Sequence, residues 1–360
     1  MSNGTAKRSR IFVFNLETDL DSLVLAAAHD WIEELSSQYE SVEVYSTHVG
    51  RTNLAANVSV LELGGGSALK KLRNLCQLFR VVFRLWKFRK SATVFHHMSS
   101  RTLAIIGFPI RIMGIPQGIW YSHSRADLSL KIGRHFANAI FSSTESAIPV
   151  KGKKVFYLGH GIKILEARSE EIFLNPVGRE GIVSLGRIAR VKHLEEILFE
   201  LNVSPKMEIP VTFIGPLSDS TYSKELLDLA RKLEITLSIV GPMPHSHIST
   251  ELRKYKYIFS GTPMSVDKAL LEGALAGCFV VTSNSEAINL SGMGKVWERL
   301  NIFGEINTQD QLRILESVSV NSEYQLRQLV TYECRKRNDL GETIKKIRNI
   351  LGGTNLGIEE

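Results

Sequence analysis

Two cations five positions apart, Arg187 and Lys192, follow an apolar run that stops at Gly186. The surrounding segment, 181–194, reads Gly-Ile-Val-Ser-Leu-Gly-Arg-Ile-Ala-Arg-Val-Lys-His-Leu. It is expected to be a buried strand, a short loop and a helix beginning around Val191. Such a loop can aim both side chains at one diphosphate, with Arg offering a fork of donors and Lys a point charge. The helix start would add oriented N–H groups and a partial positive charge. The same pair also reads as two solvated loop cations, and the motif alone fits either.

The second informative stretch runs from Phe259 through Ser-Gly-Thr-Pro-Met-Ser-Val-Asp-Lys to Glu272. A strand, a small-residue loop and a helix are expected, with Glu272 among Leu270, Leu271 and Leu275. A carboxylate on such an apolar helix needs partners. A ribose diol would supply two hydroxyl donors; a solvated or internally paired Glu is the other reading, and Arg187 and Lys192 upstream favour the ribose.

The elements that must position these residues come in two sets. Strands are expected at 10–14, 41–45, 58–61, 92–96, 118–121 and 138–141, with helices over 22–35 and 102–113. The pattern restarts at 154–158, which ends in the turn Gly159-His160-Gly161. A charged linker, 163–180, leads to further strands at 181–186, 211–215, 236–240, 257–259 and 279–282. Helices fit between them at 225–233, 247–254 and 268–276. Alternating strands and helices imply parallel sheets covered on both faces. Two such α/β units in tandem put a cleft between them, a common place for a ligand.

Composition agrees. A chain of 360 residues, 44 % hydrophobic and 22 % charged, has the size and balance of two soluble globular domains. There is no uncharged apolar run of about 18 residues, the length a spanning helix requires. Residues 1–10 are polar and basic, unlike a secretory signal. Cys76, Cys278 and Cys334 are scattered, so a reducing cytoplasm is expected. The charge is uneven: residues 1–160 hold 20 Lys and Arg against 11 Asp and Glu, a net +9, whereas 161–360 hold 24 against 26, a net −2. The first half therefore faces something anionic: lipid, nucleic acid or a phosphorylated acceptor.

Taken in order, Gly186-Arg187 with Lys192, Ile214-Gly-Pro216, Val240-Gly241-Pro242 and the run Ser265 to Gly277 resemble the family-4 retaining glycosyltransferases of the GT-B fold, in particular a subgroup with Ser-x-Asp-Lys. Trp120-Tyr-Ser-His123 and Gly159-His-Gly-Ile162 extend the resemblance over nearly the whole chain. It implies two Rossmann-like domains facing across a cleft: 1–163 for the acceptor, 164–322 for the nucleotide sugar, and a helical segment, 323–360, packing back on the first. Arg187 and Lys192 would neutralise the departing diphosphate. Glu272 would bind the ribose, and Val240, Gly241 and Pro242 would border the base. The loop holding Gly261, Ser265, Asp267 and Lys268 would lie under the donor sugar and phosphates, with His123 reaching the sugar from the first domain. The nucleotide sugar is a substrate, and neither metal nor other cofactor is implied. Many relatives carry a second Glu where this chain has Met264, and Asn15-Leu-Glu-Thr-Asp-Leu-Asp-Ser22 replaces a glycine pair often found after the first strand.

Other signals are set aside. Asp19-Leu-Asp21 reads as a polar loop with Asp21-Ser22 capping a helix, His96-His97 and His160 as a strand end and a turn, and 64–67 as a flexible turn. The segment 69–90 interleaves Lys70, Lys71, Arg73, Arg80, Arg84, Lys87, Arg89 and Lys90 with large apolar residues. It fits an interfacial helix on anionic lipid or a helix whose apolar face is core. The expected function is sugar transfer from a nucleotide diphosphate sugar to a glycan or lipid-linked acceptor, in the cytoplasm or on the inner membrane face. A same-fold epimerase or hydrolase and a basic membrane-surface protein are the alternatives. Nucleic acid is not an expected partner, because interleaved aromatics are evident only in 69–90.

Overall fold

The computed structural model describes residues 8–22, 25, 27–63, 68–164, 178–203, 207–262 and 266–353, with 68–75 and 245–246 given by backbone alone. The turn at 64–67 and most of the linker, 165–177, lie outside the described residues. The chain divides into two units, Met1–Lys163 with Asp339–Glu360, and Ile164–Asn338.

The first unit holds seven strands: β1 Arg10–Thr18, β2 Ser41–Val49, β3 Val58–Glu62, β4 Ala92–His97, β5 Gln117–Trp120, β6 Ala139–Ser142 and β7 Val155–Tyr157. Their order is β3-β2-β1-β4-β5-β6-β7, and every pairing is parallel. β7 closes this sheet, so the pattern restarts at 182 rather than at the expected 154. A sheet buried on both faces explains the near-continuous apolar strands. In β1, Ile11 and Val13 join one core cluster while Phe12 and Phe14 join another.

Helix α1 (Ala27–Gln38) and the helix Leu340–Gly352 cover the first of these faces, through Trp31, Ile32, Leu340, Ile344 and Ile347. Helices α2 (Ala68–Phe88), α3 (Ser100–Ile112) and α4 (Leu128–Gly133) cover the other. Of α2, the row Leu78, Val81 and Leu85 is core. The expected helix over 22–35 is described as helix from Ala27, and Ser22 Oγ accepts from Leu25 N at 3.0 Å, the bond a capping serine makes.

His96, on β4, is wholly enclosed beneath α3. Its Nδ1 lies 2.8 Å from Thr102 Oγ1 and its ring stacks on Phe14, with centroids 5.2 Å apart. Burial pushes its imidazole pKa down to about 3, so it is neutral.

The second unit holds β8 Ile182–Leu185, β9 Val211–Ile214, β10 Leu237–Val240, β11 Tyr257–Phe259 and β12 Phe279–Val281, in the parallel order β10-β9-β8-β11-β12. Helices α5 (Glu195–Asn202), α6 (Ser220–Lys232), α7 (His245–Leu252) and α8 (Lys268–Leu275) alternate with the strands. α6 starts five residues before the expected 225, because Asp219 caps it by accepting from Tyr222 N at 2.9 Å. Val320–Asn338 also belongs to this unit, and its buried Arg327 donates to Glu323 and to the carbonyl of Gly277. Asp339 then opens the helix Leu340–Gly352, accepting from Glu342 N at 2.8 Å.

Candidate functional site

The carboxyl ends of parallel strands are where open α/β sheets place ligands. Beyond β8 and β9 two loops run side by side: Gly186 N donates to Ile214 O at 2.9 Å and Ile188 N to Pro216 O at 3.0 Å. The approach is so close that a Cβ on Gly215 would fall 2.0 Å from Gly186 O, and φ at Gly215 is +148°, which disfavours any other residue. Gly215 N in turn donates to Val240 O at 3.0 Å, tying the Val240-Gly241-Pro242 turn to the same edge. Gly241 faces open space, and Val240 and Pro242 are exposed.

Between Gly186 and α5 the chain makes a 3-10 turn, Arg190–Lys192, and then a left-handed residue, His193, at φ +48°. The expected helix start near Val191 is therefore corrected to Glu195. Glu195 and Glu196 occupy its first turn, and Leu194 N donates to Tyr222 Oη at 2.9 Å. These carboxylates lie at the positive end of the helix and offset part of its charge.

Lys192 is held instead by the loop after β11. Its Nζ lies 2.5 Å from Asp267 Oδ1. The other carboxylate oxygen of Asp267 accepts from Ser260 Oγ at 3.0 Å and Thr262 Oγ1 at 3.1 Å. The Lys192 and Asp267 side chains are only 20 and 18 % exposed, so the pair is shielded far more than a surface ion pair. Gly261 lets the two loops meet: a Cβ there would stand 2.5 Å from His193 O. Because Asp267 turns toward Lys192, it does not cap α8, although it stands at that helix's N-cap position.

Of the other expected residues, Arg187 is exposed and makes no ion pair among the described residues. The neighbouring Arg190 is the structural cation, pairing with Glu225 at 2.6 Å and Asp219 at 3.6 Å. Lys268 lies 3.5 Å from Glu272 within α8, so Glu272 has an internal partner. Ser265 and Met264 lie outside the described residues. In the first unit, His123 is exposed past the end of β5, with Nδ1 accepting from Arg125 N at 3.1 Å. The structure thus gathers Lys192, Asp267, Gly186 and Gly261 and sets Lys268 with Glu272. Ser260 and His193 were not expected; the hydroxyl beside Gly261 was the available signal for the first.

Among the described residues, Glu17, Asp19 and His48 bring ligand atoms within 4.8 Å of one another, as do His29, Asp30 and Glu33. Asp19 Oδ1 accepts from the backbone N–H groups of Asp21 and Arg51, both at 3.0 Å, and Lys163 pairs with Asp30 and Glu33.

No protein-family model matches the sequence, nor does any curated protein. Solved structures do match. HepE from Anabaena, in complex with UDP, is 12 % identical with a TM-score of 0.67, over 95 % of this chain and 99 % of that one. A glycosyltransferase from Rickettsia africae is 10 % identical with a TM-score of 0.67, over 96 % and 100 %. A sucrose-phosphate synthase from Thermosynechococcus elongatus is 12 % identical with a TM-score of 0.65, over 97 % and 100 %. With its two parallel sheets and flanking helices, the chain has the GT-B fold.

Proposed function

We propose that the protein is a retaining glycosyltransferase that takes a sugar from a nucleotide diphosphate sugar bound by its second unit and transfers it to a glycan or lipid-linked acceptor. The observation that carries this reading is the held cation: Lys192, beyond a strand end, fixed by Asp267 with Ser260 and Thr262 behind it. A fixed ammonium beside uncapped α8 suits an anion whose charge grows as a bond breaks. The GT-B fold supports the reading, as do structures of HepE with UDP and with UDP-glucose.

Under this reading Lys192 and Arg187 stabilise the departing diphosphate while the acceptor attacks on the same face of the sugar. Glu272 exchanges its Lys268 contact for the ribose hydroxyls. Val240, Gly241 and Pro242 border the base, and Gly261, Ser265, Asp267 and Lys268 form the floor under sugar and phosphates. His123 serves the donor sugar from the first unit. Neither metal nor cofactor takes part, and the enzyme works in the cytoplasm against an anionic membrane surface.

The test is titration calorimetry with a set of nucleoside diphosphates, followed by turnover of the matching nucleotide sugars in excess EDTA. Binding of one diphosphate, and transfer that survives the chelator, are expected. Absence of binding across the set overturns the donor site. Loss of transfer in EDTA, restored by Mg²⁺ or Mn²⁺, overturns the metal-free mechanism.

A further inference from the structure

The layer α2–α3–α4 carries more apolar surface than the core uses. α2 buries Leu78, Val81 and Leu85, yet Phe79, Phe83 and Trp86 stand on its outer side at helical spacing. α3 repeats the pattern with Ile105, Phe108 and Ile112, and α4 with Leu128 and Ile132. These eight side chains are 44 to 72 % exposed, whereas single exposed apolar residues are the ordinary case on a surface. The three helices cover one face of one sheet, α2 packing beside α3 and α3 beside α4, so the rows are neighbours.

Charge follows the same layer. Residues 63–144 hold 13 Lys and Arg against a single acidic residue, Asp127, a net +12 within a chain whose total is +7. Arg84, itself about half-exposed, is tied to the buried Glu43, its Nε 2.6 Å from that carboxylate. Arg80, Lys87, Arg89, Lys90, Arg101 and Arg111 remain exposed around the apolar rows, and Arg89 lies over the Trp86 ring at 5.1 Å.

We propose that this three-helix face docks on an anionic lipid bilayer, with Phe79, Phe83, Trp86, Ile105, Phe108 and Ile112 entering the interface and the surrounding cations meeting the headgroups. The inference gives a surface to the membrane reading above and does not depend on the donor site. Rows of aliphatic and aromatic side chains need an apolar phase, and the ring of cations needs an anionic rim; an interface of anionic lipid offers both. Nucleic acid would answer the charge, but Ile105, Ile112, Leu128 and Ile132 offer bases no stacking partner. A second copy of the face would bring two surfaces of the same sign together.

Trp86 supplies a direct probe. Trp31, Trp120 and Trp297, the other three tryptophans, are only 4–5 % exposed. The full chain is mixed with phosphatidylcholine vesicles, with or without about one-third phosphatidylglycerol, at low salt, and followed by co-sedimentation and tryptophan emission. Binding to the anionic vesicles at least tenfold tighter than to neutral ones is expected, with an emission blue shift that is absent in Trp86→Phe. Ile105→Ser/Phe108→Ser/Ile112→Ser leaves α2 untouched and is expected to reduce binding at least tenfold, with UDP affinity and melting temperature unchanged. Wild-type protein that ignores anionic vesicles overturns the proposal, as does a triple variant that binds like the wild type. Tighter binding to a single-stranded oligonucleotide than to vesicles, lost in the same variant, also overturns it. Failure of wild-type protein to bind UDP sinks the donor site alone and leaves the vesicle result standing.

Discussion

Lys192 and Arg187 share a loop and a charge, but their surroundings differ. Lys192 is tethered to Asp267, while Arg187 is exposed without an ion pair among the described residues. A pre-positioned ammonium loses little freedom on meeting a phosphate, whereas a loose guanidinium must first be ordered. Lys192→Ala is therefore expected to weaken UDP binding about tenfold or more, about 1.4 kcal/mol or above, and Arg187→Ala by less. In the proposed donor site, removing Lys192 would also leave the Asp267 carboxylate beside the phosphates with its charge uncompensated. The double variant Lys192→Ala/Asp267→Ala should bind UDP more tightly than Lys192→Ala alone. Calorimetry on the four proteins decides it; equal affinity of the double and single variants would show that Asp267 does not face the ligand. The residue types and their spacing were legible in the chain. The pairing was not, because Asp267 lies 75 positions from Lys192 and only the meeting of two loops joins them.

Strands proved easier to read than helix starts. A strand buried on both faces is a short apolar run, and that signal survives without tertiary context. Helix starts turn on single contacts: Asp219 caps α6, and left-handed His193 delays α5. The seam between β4 and α3 hinges on a neutral buried His96, which gives it a pH dependence. The folded pKa is near 3, against an ordinary value near 6.5, so between these limits the unfolded chain binds more protons. Stability of the first unit should then be intact above about pH 6.5 and fall as the pH drops toward 3. Urea unfolding at a series of pH values, in wild-type protein and His96→Gln, is expected to show a shallower loss in the variant. Parallel curves would place the acid sensitivity elsewhere.

At the scale of the molecule, the chain leaves its first unit after Lys163 and returns to it at Asp339. Sequence periodicity located β7 but not its sheet, because strand order depends on which faces remain to be covered. The segment 69–90 was legible as apolar and basic, and the sheet then sorted its apolar residues into an inner row and an outer one. Two units with separate cores should respond to separate perturbations. Ile344→Ala empties a fully buried position of the first unit and is expected to destabilise it by about 2–5 kcal/mol. UDP at a hundred times its Kd should stabilise the second by about 2.7 kcal/mol. Scanning calorimetry should therefore show the variant lowering one transition and the ligand raising another; a single transition moved equally by both would mean that the units unfold together.

The return at Asp339 also sets an order of events on the ribosome. The helix Leu340–Gly352 supplies Leu340, Ile344 and Ile347 to a core whose strands all precede residue 158. The 175 residues of the second unit, 164–338, must be translated between the two. At roughly 5–20 residues per second the nascent first sheet waits about 9–35 s with one apolar face incomplete. During that interval Trp31, Ile32 and Phe95 lack part of their cover, and the growing chain presents a substrate for chaperones that the finished protein does not.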